Sequence, residues 1–107
     1  MVKKLTFHER LYLSESISEK KLDKIKKTLE KKPLLANVYL IVPAGNPDDQ
    51  LDIFEAKQLV QSFYRNSTFL VIGIAANYGE ALRLIEQMVQ ECMCERGDCK
   101  LREYLSC

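Results

Sequence analysis

The chain has 107 residues, of which 47% are hydrophobic and 29% charged, and its formal net charge is +1. That length is one domain by the usual size range, with enough apolar residues for a core. Near-neutral charge argues against a dedicated nucleic-acid binder, and no run approaches the roughly 18 apolar residues that span a bilayer. The N-terminus has no apolar signal core, so the chain reads as cytoplasmic and its four cysteines as mostly reduced thiols.

The small net charge hides an asymmetry. Up to Pro33 ten basic residues face five acidic ones, which gives that third +5 and leaves −4 for the rest. Opposite charges on two parts of one small protein can steer self-association or an acidic partner, although a lysine-rich helix is more often a solvated face.

In chain order, residues 1–9 read as a lightly packed lead-in, and residues 10–14 (RLYLS) as a short first strand. A helix follows with Ser18 as its N-cap and Ile17 with Leu22 as a hydrophobic staple. Leu22, Ile25 and Leu29 give it one narrow apolar stripe, and Pro33 closes it. Residues 38–42 (VYLIV) form a strand that ends in a Pro, Gly and Asn-rich loop at 43–49. Ile53, Ala56, Leu59, Val60, Phe63 and Tyr64 fit one helix face, which predicts a helix over 55–65. Residues 50–54 stay open, since they also fit a strand returning on 38–42 as a hairpin. Residues 69–75 (FLVIGIA) are the clearest strand.

Asn77 then caps the last long helix, with Glu80 three residues on. Ala81, Leu84, Ile85, Met88, Val89 and Cys92 form its wide apolar stripe, and Gly97 is its stop. In residues 97–107 Asp98 caps a short cysteine-containing helix packed through Leu101, Tyr104 and Leu105. Strands alternating with helices predict an α/β fold: a small three- to four-stranded, largely parallel sheet in the order β-α-β-α-β-α. With a strand at 50–54 the order becomes β-α-β-β-α-β-α, which is ferredoxin-like.

Chemistry-bearing residues are sparse. Cys92, Cys94, Cys99 and Cys107 are numerous enough for a tetrahedral zinc site, but their spacing matches no common ligand pair. Cys94, Cys99 and Cys107 are the nearest to a ligand set, and no metal or other cofactor is assigned. His8 is the single histidine, so no Cys–His or Ser–His pair can be built without it, and no catalytic residue is assigned. A structurally satisfied or solvent-facing role suits it better. Asp48, Asp49 and Asp52 read as acids near a helix start. Arg96-Gly97-Asp98 spells an integrin-binding tripeptide that helix stop and helix cap explain. The aromatic residues read as core and rim.

In parallel α/β sheets ligands bind beyond the carboxyl ends of the strands. Here that rule selects Ser14, Ser16, Asn46, Asn77, Tyr78 and Gly79, although no dinucleotide or phosphate-loop fingerprint is present.

Residues 10–18 (RLYLSESIS), 71–75 (VIGIA) and 80–91 (EALRLIEQMVQE) together resemble a group of small bacterial proteins with no assigned activity. The similarity covers most of the chain and least of all its Cys-rich tail. The resemblance implies a stand-alone small domain and transfers no site residue. The functional expectation is a non-enzymatic interaction or accessory domain that forms a homodimer or meets an unidentified protein partner. The alternative is a small-ligand or phosphate-binding domain, or an enzyme, using the strand-end loops.

Overall fold

The computed structural model describes residues 4–32, 35–44, 50–60 and 68–105. In chain order these hold β1 (Lys4–Leu13), α1 (Glu19–Lys31), β2 (Tyr39–Pro43), β3 (Leu51–Glu55), a 3-10 turn (Ala56–Val60), β4 (Thr68–Ala75), α2 (Tyr78–Arg96) and α3 (Leu101–Tyr104). The four strands form one sheet in the order β1-β4-β2-β3.

The fold is α/β, but the sheet is mixed rather than largely parallel. Only β1 and β4 run parallel; β2 is antiparallel to both β4 and β3. The cause is residues 51–55, which return as a strand with Tyr39 opposite Glu55 and Pro43 opposite Leu51. Antiparallel pairing of β3 on β2 means that the chain reverses direction between them, whereas a parallel pair needs a crossover. The element order thus follows the ferredoxin-like alternative as far as β3. The helix expected over 55–65 does not follow, at least through residue 60. Ala56 donates its N–H to Val38 O at 3.0 Å and Gln58 Oε1 accepts Glu55 N at 3.0 Å, which ties this segment to β2 in a 3-10 turn. Phe63 and Tyr64 lie outside the described residues.

Helices cover both faces of the sheet. On one side Leu29, Val38, Leu40, Val42, Val71 and Ile74 are buried, with Leu22 and Ile25 of α1 packed against them. On the other side Ile41, Ile72, Ala75, Ala81, Leu84, Met88 and Cys92 are buried under α2, joined by Leu101 and Leu105. Burial on both faces is why β2 and β4 read as continuous apolar runs.

β1 starts at Lys4 rather than at residue 10, because residues 4–7 pair with residues 68–71. The ladder then jumps from Phe7 opposite Val71 to Tyr12 opposite Gly73, so β1 advances five residues while β4 advances two. Residues 8–11 therefore have no partner in this ladder, and β1 is irregular there in the manner of a bulge. Gly73 sits at the slip, where a Cβ would lie 3.1 Å from Ile41 Cδ1.

Helix ends follow local chemistry unevenly. Asn77 Oδ1 accepts Glu80 N at 2.9 Å, whereas the Ser18 side chain makes no cap bond. Asp98 Oδ1 accepts Lys100 N at 3.1 Å just before α3. Gly97 ends α2 at φ 77° with its N–H on Met93 O. No atom lies near enough to obstruct a Cβ there. Gly97→Ala is therefore expected to cost about 1 kcal/mol through backbone strain alone. A urea titration showing no loss would contradict this account of the α2 stop.

Candidate interaction surface and the strand-end cluster

The parallel β1–β4 pair brings two of the three predicted loops together at its carboxyl end. Ser14, which is buried, accepts Ala76 N–H on its hydroxyl at 3.1 Å and donates its own N–H to Ile74 O at 3.1 Å. Ser16 Oγ donates to Glu80 Oε2 at 2.8 Å, and Asn77 Nδ2 donates to the same oxygen at 3.0 Å. Hydrogen bonds from Ser14 and then Ser16 hold the Glu80 carboxyl below its ordinary range. An ionised carboxylate thus rests over the N-terminus of α2, where the helix dipole favours negative charge.

The space beside this cluster is about 90 Å³, lined in part by Ser14, Glu80 and Arg83. Ligand pockets commonly measure about 300–1,000 Å³, so this gap is small for a metabolite. Tyr78 points away from it and meets Tyr39 edge-to-face, with ring centroids 6.0 Å apart. Gly79 is exposed. Asn46 lies outside the described residues.

The cysteines are dispersed. Cys92 is buried in the core, and burial and then its hydrogen bond to Asp98 push its thiol pKa up. Cys94 and Cys99 are exposed and free, with Cys99 Sγ 3.3 Å from Met93 Sδ. Cys107 lies outside the described residues. Among the described residues no group of three or more His, Cys, Asp or Glu is placed to hold a metal ion.

The feature that the sequence did not single out is on the outer flank of α2. Tyr78, Leu82 and Met93 are 52%, 43% and 46% exposed, and Ile85 and Val89 between them are half-buried. Their spacing of four, three, four and four residues makes one continuous seam along about 22 Å of helix. Beside it Tyr39, Leu51 and Ile53 of β2 and β3 are also only partly buried. α2 packs mainly on β4, and so leaves the β2–β3 side of that sheet face partly open. Among the described residues, no helix is long and apolar enough to cross a membrane.

His8 is structurally satisfied. Its Nε2 faces Leu105 O at 2.6 Å, and Nδ1 accepts Arg10 N–H at 3.0 Å, an arrangement in which Nε2–H is the donor. Nearby, Tyr12 OH donates to Glu91 Oε1 at 2.6 Å. This bond, with one from Gln87, holds the Glu91 carboxyl below its ordinary range; burial and the same bond push the Tyr12 phenol up.

Comparison of the chain with family models, with curated proteins and with solved structures finds no match.

Proposed function

We propose that this protein is a non-enzymatic interaction domain that pairs with a second copy of itself through the α2 seam. The observation that carries the reading is the row Tyr78, Leu82, Ile85, Val89 and Met93, which is apolar yet left open to solvent. Contiguous exposed apolar surface of this kind is uncommon on monomers and marks contact sites. A two-fold contact uses the same patch on both subunits, so one seam supplies both sides of the interface. The polar groups at the strand ends are paired with each other, as expected of a supporting framework rather than a reactive centre. The free thiols suit a reducing compartment, and we place the domain in the cytoplasm.

The test is sedimentation of the wild type and Leu82→Glu across a concentration series, with circular dichroism to confirm folding. Wild type is expected to be dimeric and Leu82→Glu monomeric, with the dimer weakened at least tenfold. A wild type that stays monomeric at its highest soluble concentration would overturn the reading.

One observation favours a second reading, a small-ligand or phosphate-binding domain: Ser14, Ser16 and Asn77 do converge. An anion there has to displace the Glu80 carboxylate, and the adjoining space is small. The interaction reading is therefore the stronger.

A further inference from the structure

The other face of the sheet carries a surface that is independent of the α2 seam. α1 and α2 pack on opposite sheet faces, so a pairing through α2 does not cover α1. α1 docks through one narrow stripe, Leu22, Ile25 and Leu29, while Lys20, Lys21, Lys24, Lys27 and Lys31 are all exposed. At about 100° per residue, Lys20, Lys24, Lys27 and Lys31 fall within about 60° of arc, on the side of the helix away from that stripe. Lys21 widens the arc to about 120°, and no acid falls inside it. These five amines run along about 16 Å of helix. None of them is in a salt bridge among the described residues. Glu19, Asp23 and Glu30, the acids of α1, gather on one flank about a quarter turn away.

The two helices oppose each other in charge. α1 carries six lysines against three acids, whereas α2 carries four glutamates against two arginines. The charge asymmetry between the two parts of the chain is thereby set across the sheet. It gives the molecule a dipole with its positive end on α1.

We propose that the α1 lysine face binds the surface of a bilayer rich in acidic phospholipids, with the domain lying on the membrane rather than entering it. Three features select this partner. Lysine is a mobile point charge, and the face holds no arginine or aromatic residue for directional recognition. That suits fluid headgroups, which gather under the amines. A flat surface touches only the crest of the helix, whereas a nucleic-acid groove closes on both flanks and sets the acidic flank against phosphate. The apolar stripe of α1 is occupied by the sheet, so this face has no hydrophobic row to insert and the contact is electrostatic. The dipole turns the lysine crest toward the negative surface and the α2 face away from it.

The test is cosedimentation of the full chain with vesicles of equal parts phosphatidylserine and phosphatidylcholine, and with vesicles of phosphatidylcholine alone. Binding is expected to the first and not to the second, and to be lost at about 1 M salt, where the screening length falls to about 3 Å. One lysine near such a surface is worth roughly fivefold in partitioning, so Lys24→Gln, Lys27→Gln is expected to bind about thirtyfold more weakly. Arg83→Gln, Lys100→Gln removes the same charge from exposed positions on the α2 side and is expected to bind as the wild type does. Circular dichroism checks that both double variants are folded. Absence of wild-type binding to the phosphatidylserine vesicles overturns the proposal. Equal losses in the two double variants do so too, since net charge rather than the α1 face would then be responsible. Tighter binding to duplex DNA than to these vesicles, at equal phosphate concentration, also overturns it.

Discussion

Leu40→Ala is expected to destabilise the protein by about 2–5 kcal/mol, the range for truncating a fully buried leucine. Leu40 has no exposed surface and sits in β2, an interior strand of the sheet. It lies opposite Ile74 of β4 and Phe54 of β3, in the layer that also holds Leu29 of α1. Removing its isobutyl group opens a void bounded by both neighbouring strands, and hydrogen-bonded strands cannot close in to fill it. Domains of this size are stable by only about 5–15 kcal/mol, so the loss is a large share of the total. Urea unfolding is the direct measure: the midpoint is expected to fall with an unchanged slope. A cost below about 1 kcal/mol would mean that the α1 layer is not packed on β2 as described. Leu82→Glu makes the informative contrast. Its side chain is 43% exposed, so its effect is expected in association rather than in unfolding.

Several elements were legible in the amino-acid sequence because their signals are local. The apolar run at 69–75 needs burial on both faces, and it is the strand between β1 and β2. Asn77 and Gly97 bracket α2 because a side-chain cap and a left-handed stop act within a few residues. Strand direction was harder to read. Residues 51–55 alternate too briefly to declare a strand, and only their pairing with β2 makes the sheet mixed. The first half of β1 was hidden for a related reason. As an edge strand it tolerates Lys4, His8, Glu9 and Arg10, and its bulge breaks the two-residue period that would have marked it.

The candidate surfaces show the same division. Ser14 and Asn77 lie at the same end of the sheet because β1 and β4 are parallel neighbours, and Ser14 accepts the N–H of Ala76 just before Asn77. The α2 stripe is more divided than its periodicity implies. Ala81, Leu84, Met88 and Cys92 are buried, whereas Ile85 and Val89 belong to its half-open margin, continuous with Tyr78, Leu82 and Met93. Periodicity gives the direction of an apolar stripe, but the sheet beneath determines how much of its width is covered.

His8→Ala is the second large expected effect, at about 1–3 kcal/mol for two hydrogen bonds. The ring joins points far apart in the chain: Nε2–H reaches Leu105 O, across 97 residues, while Nδ1 takes the N–H of Arg10 inside the bulge. The same ring therefore fixes the shape of the bulge and ties the end of α3 to β1. Alanine supplies neither a donor nor an acceptor. Its immediate consequence is expected at the Arg10 amide, whose hydrogen exchange should accelerate more than that of residues in β2. A melting point lower by about 4–8 °C for each kcal/mol lost is expected to accompany it. Histidine is needed here because the two contacts require opposite polarities on one rigid ring: a donor toward Leu105 and an acceptor toward Arg10. Unchanged exchange at Arg10 together with an unchanged melting point would remove His8 as the tie between α3 and the bulge.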